Sequence, residues 1–128
     1  MTRDFDLIRK LLVYFDEKLD YTYTPVPSMG PEYTDDQVTY HCLLMYQAGL
    51  LDAEPESSKT GRVIRVRPFG LTWDGHEFLG KIRDDSRWQR IKTIAVQKTG
   101  SLSFAALTEV AKRLAIDALT GSPPMGTI

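Results

Sequence analysis

Two groups of side chains in this chain are of types and spacings that could do chemistry. Lys59, Arg62, Arg65 and Arg67 crowd one short stretch, and Arg87, Arg90 and Lys92 follow shortly after. Cations at this density can hold phosphates, and such binding would be salt-sensitive and largely non-specific. The second group is aromatic: Tyr21, Tyr23, Tyr33 and Tyr40, with Tyr46 beyond them. Tyrosine suits protein interfaces because it offers apolar area with a hydrogen-bonding tip. Residues 1–56 combine these rings with eleven acids and only four bases, whereas residues 57–92 carry nine bases and four acids. Such a split can orient a molecule on an anionic partner or let two copies pair half to half. The bland alternatives stay open as well. The rings could cap the core, and Arg65 and Arg67 could pair with acids of the first half or face water.

Other constellations are weaker. His41, Cys42, His76 and Glu77 include metal-ligand types. His41 and Cys42, however, are neighbours about 100° apart around a helix and do not converge on one ion. Each imidazole is expected to hydrogen-bond within a helix seam, and Cys42 to lie in the core. The paired acids Asp35/Asp36 and Asp84/Asp85 read as helix-start residues rather than an acid–base pair. No nucleophile elbow, phosphate-cradling loop or dinucleotide fingerprint occurs. No catalytic residue, metal or cofactor is therefore expected, and the protein is expected to act by binding.

These residues must be held by elements that the hydrophobic pattern outlines. Phe5, Ile8, Leu12, Phe15 and Leu19, with Leu11 beside them, predict a helix over 4–19 with Asp4 available as its cap. Tyr21 to Pro31 breaks the pattern with three prolines and reads as a loop, with a short strand at its start. Thr34 caps a second helix, Asp35 to Ala48, which is apolar around most of its circumference and stops at Gly49. Leu50–Glu54 and Arg62–Arg67 read as two strands around a polar turn, with Val66 on one face and Val63, Arg65 and Arg67 on the other. Thr72 caps a third helix, Trp73 to about Arg83, that buries Trp73, Leu79 and Ile82. Asp84-Asp85-Ser86 starts a fourth helix or bends ahead of it, and Gly100 ends that helix. Ser101 or Ser103 caps the last one, with the stripe Leu107, Val110, Ala111, Leu114 and Ala118.

This order, with Leu43–Leu51 (LLMYQAGLL) followed by Leu71–Leu79 (LTWDGHEFL), resembles the recognition-helix, wing and closing-helix series of winged-helix regulators. The same spacing occurs in winged helices that contact only protein. Arg3–Leu12 (RDFDLIRKLL), Val38–Leu51 (VTYHCLLMYQAGLL), Leu71–Leu79, Arg83–Trp88 (RDDSRW) and Gly100–Leu107 (GSLSFAAL) together resemble a family of short bacterial and prophage proteins catalogued as a domain of unknown function. The resemblance implies a winged-helix-like fold and a mobile-element context, and it transfers no catalytic residue. The proline-rich Tyr21–Pro31 segment departs from it.

The expected fold is α+β and mainly helical. It has a winged-helix-like core over residues 3–83, a small antiparallel hairpin as wing, and two appended C-terminal helices over 86–119. Residues 1–120 would form one domain and 121–128 a flexible tail. At 128 residues with one cysteine and no long apolar run, the chain reads as neither a disulfide-built secreted module nor a membrane span, and a cytoplasmic location is expected. Two functions compete. In the first, Lys59, Arg62, Arg65, Arg67, Arg87 and Arg90 face non-specific nucleic acid from a homodimer, although the second helix holds no lysine or arginine for reading base edges. In the second, Tyr21, Tyr23, Tyr33 and Tyr40 engage a host or phage protein.

Overall fold

Asp4 starts α1 (Phe5–Asp16): its carboxylate accepts from the backbone N–H groups of Asp6 and Leu7 at 2.9 and 3.1 Å. Phe5, Leu7, Ile8, Leu11, Leu12 and Phe15 form the buried stripe. The helix ends before Leu19, which is fully exposed rather than the last member of that stripe. The cause is Lys18. Its ammonium donates to the carbonyls of Asp20, Thr22 and Phe69, pinning the turn to a distant strand and breaking the 3.6-residue period. The 21–31 segment forms no strand. It runs beside the hairpin with Thr24 N–H donating to the Pro68 carbonyl at 3.1 Å.

Thr34 and Gln37 close a reciprocal capping box at the start of α2 (Asp35–Gln47). Asp35 and Asp36 lie at the positive end of the helix. Its end is a Schellman motif: Leu50 N–H donates to Met45, Gly49 N–H donates to Tyr46, and Gly49 takes a φ of 78°. Val38, His41, Cys42 and Met45 are buried, and α2 packs on α1 and on both strands.

The strands β1 (Leu51–Ser57) and β2 (Val63–Leu71) pair antiparallel and are longer than their apolar runs suggest. Pro55 lies within β1 opposite Val66, so the polar turn contracts to the tip around Gly61, which takes a φ of 84°. A two-stranded hairpin leaves each strand one outer edge, where proline's missing N–H costs no ladder bond. Register irregularities fall between Asp52 and Ala53 and between Glu56 and Ser57. Val66 is buried while Val63 and Arg65 are exposed.

Thr72 then starts α3 (Trp73–Ile82), accepting from Gly75 N–H at 3.1 Å and donating its hydroxyl proton to the Gly49 carbonyl at 2.5 Å. The buried stripe of α3 contains Phe78, Leu79 and Ile82. Trp73 lies off that stripe, at the angular position of His76, Glu77 and Gly80, and is 78% exposed rather than buried.

Asp84 caps α4 (Asp85–Thr99), which Gly100 ends in the left-handed conformation. Ser103 accepts from Ala106 N–H to start α5 (Phe104–Thr120). The two helices pack together, burying Trp88, Ile91, Ile94 and Ala95 of α4 and Leu107, Val110, Ala111 and Leu114 of α5. Ala118 is exposed, because the residues beside it are the polar first turn of α4, with which it lines an open groove. The computed structural model describes residues 1–120, and the expected tail at 121–128 lies outside the described residues. The fold is thus α+β and mainly helical with one small hairpin. Its described residues fall into two compact units that divide between Leu79 and Gly80, inside α3.

Candidate functional site

The hairpin register decides what the basic stretch can do. Glu54 stands opposite Arg67 and Glu56 opposite Arg65, so the two β2 arginines meet carboxylates across the ladder. Arg67 Nε lies 3.2 Å from Glu56 Oε1, with its N–H directed off the oxygen, so the pair is coulombic without being a hydrogen bond. Arg65 reaches the same carboxylate only at 3.9 Å. These groups are 37–66% exposed, so each pair contributes at most about 1 kcal/mol. Their consequence is electrostatic: the outer face of the hairpin is balanced, not basic.

The 21–31 segment completes this face. Tyr21 donates its hydroxyl to Asp52 Oδ2 at 2.5 Å and stacks on Phe69 at 6.4 Å between ring centres. Gly70, opposite Asp52, makes room for the ring, since a Cβ there would lie 2.9 Å from Tyr21. The hydrogen bond to Asp52, with some burial, pushes the Tyr21 phenol up to about 12. Tyr23 lies under the Arg67 guanidinium, 4.7 Å from its ring centre. Two members of each candidate set, Arg65 and Arg67 with Tyr21 and Tyr23, therefore converge on one surface with Asp52, Glu54 and Glu56.

The other candidates disperse. Lys59 and Arg62 lie exposed at the hairpin tip. Arg87 and Arg90 belong to the second unit, where they line the groove with Asp84, Ser86, Leu114 and Ala118, and Lys92 lies over the Trp88 ring. Tyr33 is half-buried beneath Lys10. Tyr40 packs edge-on against His41.

His41 is a structural histidine. It is buried, its Nε2 accepts from the Asp4 backbone N–H at 2.8 Å, and its Nδ1 lies 2.7 Å from the Gln37 carbonyl. The first contact fixes the neutral tautomer with the proton on Nδ1. His76 is half-exposed and sits 3.3 Å from Asp16. Burial pushes the Cys42 thiol up to about 12. Among the described residues no three histidine, cysteine or acidic side chains gather in a way that could hold a metal, and no helix is long and apolar enough to cross a membrane.

Two positions had no reading from sequence as parts of this assembly. Gly75 is one: a Cβ there would lie 2.1 Å from the Leu50 carbonyl oxygen. The A-G-L-L and L-T-x-x-G segments thus fit together, with Thr72 bonded to Gly49 and Gly75 seated on Leu50. The other is Lys18, whose bond to the Phe69 carbonyl, 51 residues along the chain, leaves no local signal.

Residues 2–101 match the family model described as "Hypothetical protein (DUF2513)". The chain belongs to this family. The DUF2513 match runs from the residues before α1 through Ser101, so the interlocked Gly49–Leu50 and Thr72–Gly75 segments lie inside it and α5 lies outside. An "Uncharacterized protein" of Haemophilus influenzae (strain ATCC 51907 / DSM 11121 / KW20 / Rd) is 34% identical over 114 residues, covering 89% of this chain and 95% of the relative. No solved structure matches the chain.

Proposed function

We propose that this DUF2513 protein acts by binding rather than by catalysis, and that its principal partner is another protein engaged by the outer face of the hairpin. One observation carries the reading: Tyr21 and Tyr23 lie exposed on a face where three carboxylates (Asp52, Glu54, Glu56) meet two guanidiniums (Arg65, Arg67). Phosphate binding needs surplus positive charge, and this face has none. Exposed aromatics with arginine are the composition of protein interfaces. The order helix, helix, hairpin, helix supports a winged-helix-like scaffold of the kind that contacts protein. Self-association belongs to the same proposal, with Ile116 and Leu119 of α5 exposed at 45% and 87%.

The test is site-specific photo-crosslinking in the native cell, with the crosslinker at Glu54 or, as a control, at the exposed Lys98 on α4. A discrete adduct with another protein from Glu54, absent from Lys98 and lost when Tyr21 and Tyr23 are changed to alanine, supports the reading. Absence of any protein adduct from the hairpin face would overturn it. A second reading has one specific support, the exposed pair Lys59 and Arg62 at the tip. The tip would then touch nucleic acid, with few phosphate contacts.

A further inference from the structure

Beside the hairpin face a cleft of about 230 Å³ opens between the 23–26 segment, α2 and β2, lined by Tyr23, Pro25, Val26, Thr39, Arg65 and Val66. It is smaller than the ~300–1,000 Å³ of pockets for drug-sized ligands, so it suits one inserted side chain better than a metabolite. Its wall is mostly apolar, with the Tyr23 ring, Pro25, Val26 and the buried Val66.

Its charged member is Arg65. Glu56 is shared between two arginines and lies nearer to Arg67, at 3.2 Å against 3.9 Å. Arg65 touches Glu56 only at 3.9 Å and its side chain is 66% exposed, so its guanidinium can turn to meet an incoming carboxylate at the rim. The backbone also indicates a direction. Thr24 bonds to Pro68 on the edge of β2 opposite β1, and the cleft opens along β2 at Arg65 and Val66, nearer the tip. An extended chain laid there would continue that pairing, with main-chain bonds giving affinity and the cleft giving selectivity.

Side chains alternate along an extended chain. Val66 faces inward and Arg65 outward, so a segment beside them would place one residue in the cleft and its immediate neighbour toward Arg65. We infer that the cleft binds an extended segment of a partner protein in which an apolar residue stands next to an aspartate or glutamate. The inference rests on the protein-binding reading of the hairpin face and names the chemistry that reading would recognise.

The probe is a random linear-peptide display library selected on the full chain, followed by fluorescence anisotropy with the enriched peptides. The expected result is enrichment of peptides pairing Leu, Ile, Val, Met or Phe with an adjacent acid. Affinity should fall about tenfold or more in Arg65→Glu and in Thr39→Phe, which narrows the cleft. A peptide with lysine in place of its acid should bind Arg65→Glu better than it binds the native chain. Enriched peptides lacking the apolar–acidic pair, or indifferent to both substitutions, would overturn the inference. If those peptides nevertheless lose binding in Tyr21→Ala, the hairpin face stands as the docking surface and the cleft assignment alone fails. A library with no binders overturns the cleft assignment as well, while crosslinking at Glu54 judges the broader reading on its own.

Discussion

At the scale of single residues, the groups that look chemically capable are mostly spoken for by the fold. His41 ties the N-cap of α1 to α2: its Nε2 accepts from the Asp4 N–H, while its Nδ1 faces the Gln37 carbonyl of its own helix. Replacing it by phenylalanine keeps a ring but leaves the part-buried Asp4 N–H without its partner, and should cost about 1–3 kcal/mol in urea unfolding. Cys42, with no exposed surface and its thiol pushed up to about 12, should resist thiol reagents in the native state. Its labelling rate should rise with denaturant in step with global unfolding, and rapid labelling without denaturant would place it elsewhere. Tyr21 gives a signed pH dependence. Its phenol rises from 10.0 to about 12, chiefly because Asp52 accepts a hydrogen bond that only the protonated form can donate. The stability it adds is therefore fully present below about 10 and is lost as pH rises through about 12. Tyr21→Phe should destabilise the neutral-pH protein by only about 0.5–1 kcal/mol, because the site is exposed. It should also remove the late component of the tyrosinate absorbance titration.

At the scale of elements, two glycines of α3 predict opposite outcomes. Gly75→Ala forces a Cβ onto the Leu50 carbonyl, a backbone atom that cannot swing aside, and should destabilise by about 1–3 kcal/mol or more. Gly80→Ala meets nothing within 4 Å and should stabilise by about 0.5–1 kcal/mol. Thermal unfolding of both variants checks the pair, and similar effects would mean that α3 does not seat on the end of α2. The elements themselves were largely legible in the sequence because their punctuation is local. Asp4, Thr34, Gly49 and Gly100 each act within a turn of the helix they bound. What was not legible depended on partners distant in the chain. Leu19 falls on the helical stripe but is expelled because Lys18 reaches to Phe69. Trp73 reads as core by type, yet the buried stripe of α3 is rotated away from it. Pro55 reads as a turn residue until an outer strand edge accepts it. The candidate site shows the same limit. Tyrosines and arginines could be named as residue types, but only the strand register sets Glu54 and Glu56 against Arg65 and Arg67.

At the scale of the whole molecule, the sequence is electrically bipolar, with eleven acids against four bases over 1–56 and nine bases against four acids over 57–92. A potential of that kind steers association only if folding keeps the poles apart. Here the turn of the hairpin lies where the sign changes, and β2 brings two cations of the basic stretch back against the acids of β1. Arg65 and Arg67 then lie opposite Glu56 and Glu54. Lys59 and Arg62 are what the hairpin leaves projecting at its tip. This arrangement predicts a shallow salt dependence toward a generic DNA duplex. With about two phosphates engaged, log K should fall with log salt at a slope near −1.8, against about −5 if six cations took part. Fluorescence anisotropy between about 50 and 200 mM salt should show weak binding of the shallow kind. Lys59→Ala with Arg62→Ala should abolish it, and Arg65→Ala with Arg67→Ala should change it little. A slope near −5 that collapses on loss of Arg65 and Arg67 would reverse the ranking of the two functions. It would mean that a phosphate backbone displaces Glu54 and Glu56 from their arginines and that the hairpin face opens on contact with nucleic acid.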